Sequence, residues 1–189
     1  MLIDRFLPTY NLTSRKYTIE INAPIEDVYP VVRKLDGRTA YLTRFILFLR
    51  SIPALLQGRP ALGHTLDELD RMGFFLLAED PPNELLIGFV GKLWTSHGHL
   101  KKVEPDQFCA FTTPGYVKGV LSFTLTPLSD GRTRLTTVSK SQCLCAESLR
   151  KMQRYWLFMA PISGAVRLGM LRACKRQAER NSSRLLPRA

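Results

Sequence analysis

Between Arg15 and Ala23 apolar and polar side chains alternate, with Tyr17, Ile19 and Ile21 on one face and Lys16, Thr18 and Glu20 on the other. A period of two is that of a half-buried strand, whose successive side chains point to opposite faces. Asn22-Ala23-Pro24 ends the alternation. Pro24 suits the start of a helix, and Glu26 and Asp27 fall in the first turn, where the helix dipole favours acids. Val28, Val31, Val32 and Leu35 then step by three or four, which predicts a short helix. Pro30 should kink it, and Gly37 closes it. A second helical block, over 40–57, is apolar nearly all round from Tyr41 to Arg50 and stops near Pro53 and Gly58. Such a helix must be buried or must meet a ligand, a lipid or an interface.

Beyond residue 73 the period returns to two. Strands are expected over Phe74–Ala78, Glu84–Trp94, Phe108–Thr113, Tyr116–Leu128 and Arg132–Ser141, separated by Pro81-Pro82-Asn83, Glu104-Pro105-Asp106, Pro114-Gly115 and Ser129-Asp130-Gly131. Consecutive hairpins of this kind build an antiparallel sheet with one wet face and one covered face. On Tyr116–Leu128 the inner face would hold Val117, Gly119, Leu121, Phe123 and Leu125; on Arg132–Ser141 it would hold Leu135 and Thr137. The cover is a long helix from Ala146 to about Glu179. Leu149, Met152, Trp156 and Met159 step along it by three or four, and so do Ser163, Val166 and Met170. Pro161 and Gly164 are expected to kink or split it. The predicted fold class is α+β: a curved antiparallel sheet around a long C-terminal helix, with two short helices after the first strand. The organisation is a loose N-terminal segment over 1–14, one domain over 15–180 and a flexible basic tail over 181–189.

Ile21-Asn22-Ala23-Pro24-Ile25-Glu26-Asp27-Val28-Tyr29 resembles the "strand, Ala-Pro, acidic pair, Val" opening of the START-like (SRPBCC) superfamily, which includes polyketide cyclases and dehydratases. Thr133-Arg134-Leu135-Thr136-Thr137, after Asp130-Gly131, resembles the penultimate strand of that group. The run from Tyr155-Trp156 through Pro161, Ser163, Gly164, Arg167 and Leu171 resembles the terminal helix of its uncharacterised bacterial members. The resemblance implies a helix-grip fold over roughly residues 15–179 and a cavity between sheet and terminal helix. Its members bind lipids, sterols, polyketides, hormones or isoprenoids, and some are enzymes, so the fold alone does not choose an activity.

Within that frame, alternation nominates Phe89, Phe111, Leu121, Phe123 and Leu135 from strands to line the cavity. Trp94, His97 and Tyr116 would join from strand ends, Met152 and Trp156 from the long helix, and Phe45, Phe48 and Leu49 from the second one. Apolar walls with a few polar anchors suit a small-molecule site. His97 and His99 share a face if the strand continues through them, as an acid/base pair or metal ligands would. Cys143 and Cys145, two apart, would also share a strand face, but no second Cys/His pair and no paired carboxylate stands at a recognisable spacing, so neither a metal nor a cofactor is expected. Asp67, Glu68 and Asp70 have the spacing of a solvated edge strand or turn. No phosphate-binding glycine loop, nucleophile elbow or His-Glu-x-x-His helix is present.

Charge adds a second theme. The chain has 27 Lys and Arg against 16 Asp and Glu, a net of +11. Ten of those cations stand after residue 149, facing Glu179 alone, so the terminal helix carries nearly the whole excess. A cationic helix can meet anionic lipid or be a solvated face. The aromatic residues fall on predicted inner faces, which disfavours a nucleic-acid surface. No uninterrupted apolar run reaches membrane-spanning length and the N-terminus lacks a signal-peptide pattern, so a cytoplasmic address is expected. The four cysteines are too few for a disulfide framework. The expected function is binding or transport of an apolar small molecule: a lipid, an isoprenoid or a polyketide-like compound. A cyclase or dehydratase of the same fold, and a membrane-surface module acting through the basic helix, are the alternatives.

Overall fold

The computed structural model describes residues 2–34, 74–95 and 98–185. The elements run α1 (Leu2–Phe6), β1 (Leu12–Thr13), β2 (Tyr17–Ile21), α2 (Ile25–Arg33), β3 (Phe74–Asp80), β4 (Glu84–Gly91), α3 (Pro105–Phe108), β5 (Val117–Pro127), β6 (Thr133–Cys143) and α4 (Ala146–Leu185). The block predicted over 40–57 and the acidic cluster at Asp67, Glu68 and Asp70 lie outside the described residues.

Among the described residues six antiparallel strands form one open sheet. β3, β4, β5 and β6 follow one another as hairpins, and β1 and β2 share the free edge of β6. The turns at Pro81-Pro82-Asn83, Pro114-Gly115 and Ser129-Asp130-Gly131 are those the sequence signalled. Asn83 N–H donates to Asp80 O across Pro81-Pro82 at 2.7 Å. At the β5–β6 turn Gly131 adopts a φ of 78°, a left-handed conformation that glycine takes without steric cost. There the Asp130 carboxylate also accepts from the Arg132 backbone N–H.

The front face of the sheet is covered as expected. Leu85, Phe123, Leu125 and Leu135 pack with Ile21, with Val28 and Val32 of α2, and with Met170, Leu171, Cys174 and Ala178 of α4. Farther along the same face Phe89, Val117 and Cys143 pack with Met152 of α4. Lys175 Nζ donates to Glu20 O at 2.8 Å, and Glu179 Oε1 accepts from Asn22 N–H at 2.9 Å, so the second half of α4 is pinned to the end of β2.

The opposite face is covered over β4 and β5, where a wet face was expected. Leu86, Val90 and Val120 are buried there against Ile3 and Leu7 of the N-terminal segment and Phe108 of α3. Residues 2–7, expected to be loose, are therefore part of the core. Burying Ile3 and Leu7 stabilises by roughly 1.5–3 kcal/mol each. Lys140 Nζ on Asp4 at 2.9 Å and Leu2 N–H on Glu84 Oε2 at 2.8 Å tie α1 down further.

Three predicted elements differ. The strand expected over Phe108–Thr113 is absent, because Pro105 and Asp106 start a short helix instead. There a proline at N1 and an acid in the first turn outweigh the β-propensity of the aromatic and threonine residues that follow. β4 ends at Gly91, and Leu93–Thr95 turn away, so Trp94 is not on the strand. α4 is a single helix of 40 residues and is not split. Pro161 and Leu157 both lie on its exposed side, where the carbonyl that loses its N–H partner meets water. Among the described residues α4 alone is long and apolar enough to cross a membrane, and 44% of the apolar window is buried inside the protein.

Candidate functional site

The predicted cavity residues divide into three groups. Phe123 and Leu135 are fully buried beneath α2 and the second half of α4, with Leu121 against them; they are packed core. Phe89, Trp94, Met152 and Trp156 come together in the cluster under the first half of α4. Phe111 and Tyr116 stand on the opposite face with Phe108 and Val120, their rings 5.8 Å apart, which corrects their assignment to the cavity. The cause is the missing strand: without period-two geometry through 108–113, alternation assigns Phe111 to the wrong side. Phe45, Phe48, Leu49 and His97 lie outside the described residues. His99 is exposed in a turn.

Open space adjoins α4 along its outer flank, beside β1 and the chain leading into β2. Two neighbouring pockets share Trp156 and Ala160. One, of about 540 Å³, is lined by Leu12, Arg150, Gln153, Arg154, Trp156, Leu157 and Ala160. The other, of about 360 Å³, is bounded by Thr13, Ser14, Arg15, Tyr17, Trp156, Ala160, Pro161, Gly164 and Arg167. Together they make a groove of the size that takes a small organic molecule. Trp156 is the predicted residue that lines it.

The floor of the smaller pocket is polar. Arg167 is only 6% exposed, and its Nη1 donates to Ser14 Oγ. Ser14 Oγ also accepts from Ser139 N–H at 2.9 Å and donates to Arg15 O at 3.0 Å, so its hydrogen-bonding capacity is used. Burial lowers the Arg167 pKa to about 10, while the nearby Tyr17 acts in the opposite direction. The guanidinium therefore stays charged at neutral pH. Gly164 makes the arrangement possible: a Cβ there would collide with the Tyr17 hydroxyl. The absence of a side chain at Gly164 lets that hydroxyl rest on the helix backbone beside Arg167.

Leu157, which lines the larger pocket, and its neighbour Phe158 are each 76% exposed, and Arg150, Lys151 and Arg154 are exposed one or two turns before them. At the start of α4, Cys145 Sγ accepts from Gly115 N–H at 3.3 Å and Ser148 N–H at 3.4 Å, and lies 3.5 Å from Ser148 Oγ. These hydrogen bonds, the Ser148 hydroxyl first, lower its pKa to about 7. Cys143, buried at the end of β6, is instead pushed up to about 11. Among the described residues no three His, Cys, Asp or Glu side chains are grouped so as to hold a metal ion.

Arg167 entered the sequence reading only through a resemblance. The signal was present: it lies four residues after Ser163 and three before Met170, so a cation occupies the buried stripe of the long helix. Ser14 and Leu12 gave none, because nothing local shows that the N-terminal chain runs beside α4.

No family model matches the chain, and no curated protein matches it. Among solved structures, a Thermus thermophilus protein designated TTHA0849 is similar at 10% identity and a TM-score of 0.33. The alignment covers 90% of this chain and 99% of that one. A likeness at that level bears on neither fold nor function.

Proposed function

We propose that the protein binds an apolar small molecule, of lipid or isoprenoid type, in the groove between α4 and the β1–β2 edge of the sheet. The observation that carries this is the pair of adjoining pockets meeting at Trp156 and Ala160. Burial of ligand carbon there would contribute roughly 25 cal/mol per Å². The lining offers arginine, tyrosine and serine but, among the described residues, no His, Asp or Glu to act as general acid or base, which favours a carrier or sensor over a cyclase or dehydratase. The resemblance to START-like helix-grip proteins agrees with a ligand held against the terminal helix. A reducing cytoplasmic compartment belongs to the proposal, since all four cysteines are free.

Nile red, a neutral apolar dye, tests the proposal. The wild-type protein is expected to take it up with an emission blue shift. Ala160→Trp, which places an indole where the two pockets meet, is expected to abolish uptake. Uptake that is absent in the wild type, or unchanged in Ala160→Trp, refutes the site.

Contact with an anionic membrane is the second part of the proposal. It is favoured by Leu157 and Phe158 standing exposed beside Arg150, Lys151 and Arg154. Apolar anchors with neighbouring cations suit an interface carrying anionic lipid, at about 1 kcal/mol per cation near the surface.

A further inference from the structure

Arg167 is a charge without a counter-charge. It is buried beside a pocket of about 360 Å³, its side-chain hydrogen bond goes to a neutral serine, and no carboxylate among the described residues pairs with it. Taking a guanidinium out of water without an anion is strongly unfavourable, and a ligand anion meeting its unused donors would offset that cost. The remaining groups at that end agree in kind. The Tyr17 hydroxyl lies over Gly164 and lines the same pocket, while Trp156, Ala160 and Pro161 form an apolar wall leading to the larger pocket.

We propose that the Arg167 pocket is a head-group site for a carboxylate, so that the ligand of the groove is an apolar monocarboxylic acid. The planar guanidinium fork matches two carboxylate oxygens. The acid end would rest on Arg167 with the Tyr17 hydroxyl as a further donor, and the hydrocarbon would run past Trp156 and Ala160 toward Leu12 and Leu157. This rests on the groove being a ligand site, and it fixes the end and the chemistry of the ligand.

Three probes of one chain length separate the two claims: dodecanoate, methyl dodecanoate and dodecanol, each titrated at neutral pH while Trp fluorescence and displacement of Nile red are followed. The wild-type protein is expected to bind dodecanoate at least ten times more tightly than the ester or the alcohol. Arg167→Met is expected to bind all three alike and to unfold at the same or a higher temperature than the wild type, because a desolvated charge has been removed. Arg167→Lys, which keeps the charge and loses the fork, is expected to retain only part of the preference. If the wild-type protein binds all three equally, the head-group site is wrong and the apolar groove stands. If it binds none of them, the groove itself is wrong and the head-group site falls with it. The wild-type comparison needs no variant to fold. A fall in unfolding temperature for Arg167→Met together with no acid preference in the wild type assigns Arg167 a structural task and overturns the inference.

Discussion

Gly164→Ala isolates the closest approach in the groove. In most helices this change stabilises, because alanine is favoured over glycine by about 1 kcal/mol in a helix interior. Here the added Cβ would lie inside the 3.0 Å that real Cβ atoms essentially never breach from the Tyr17 hydroxyl oxygen, and 3.1 Å from its Cζ. Relieving that overlap means moving a ring packed against the core of the front face, and overpacking of this kind costs about 1–3 kcal/mol. The net expectation is a loss of roughly 0–2 kcal/mol in the wild-type background. In a Tyr17→Phe background the offending oxygen is gone and most of the helix gain should reappear. Urea unfolding of the four proteins of this double-mutant cycle, followed by circular dichroism and Trp fluorescence, measures the coupling, expected at about 1–3 kcal/mol. Gly164→Ala stabilising the wild type by about 1 kcal/mol, or acting equally in both backgrounds, would refute the packing of Tyr17 on the helix.

Four more outcomes are expected. Alkylation of Cys145 should rise with pH through an inflection near 7, since its thiolate predominates above about that value. Cys143, raised to about 11, and Cys174, raised to about 12, should stay protected in the native protein. Ser148→Ala should move the Cys145 inflection upward, as peptide mapping by mass spectrometry would read. The Glu79 carboxylate is held below its usual range by hydrogen bonds from Arg33 and then Tyr29. A depressed folded pKa contributes stability above the unfolded value and loses it as pH falls through the carboxylate range, so Glu79→Gln should flatten the acid limb of a stability–pH curve. Ile3→Ala should cost about 2–5 kcal/mol in urea unfolding, as for a buried core truncation; a change under about 0.5 kcal/mol, the scale of surface substitutions, is the result for an N-terminal segment that does not pack. Leu157→Ser with Phe158→Ser should leave the unfolding midpoint nearly unchanged yet reduce sedimentation with anionic vesicles, and wild-type binding should weaken with salt.

Much of the fold was legible where two independent signals coincided. The β5–β6 hairpin joined strict alternation to Ser129-Asp130-Gly131, and α2 joined Pro24 and its acids to Val28 and Val32. The errors arose where signals competed. Phe108–Thr113 has strand-like composition, but the helix start at Pro105 decided its backbone. Pro161 carries a break signal, yet it lies on the exposed side of α4, where the carbonyl that loses its partner can bond water and the packing of the buried side carries the helix on. The front-face core was legible because Phe123 and Leu135 alternate with polar neighbours. The groove was not, since it depends on the N-terminal chain lying along an edge strand from the far end of the sequence. Ser14 meets Arg167 across 153 residues, and no local pattern encodes that.

The pairing of β2 with β6 sets a timetable for synthesis. The Thr133 hydroxyl donates to Ala23 O, 110 residues back along the chain, and Ile21 finds its ladder partner in Thr133 itself. At about 5–20 residues per second, a nascent β2 waits on the order of ten seconds for that partner to be made. Throughout that interval Ile19 and Ile21 have neither their strand neighbour nor the helix that later covers them. β2 is thus synthesised early and secured late. A ribosome-bound fragment ending before residue 133 should be digested by protease from its N-terminal end, whereas one that has released α4 should resist.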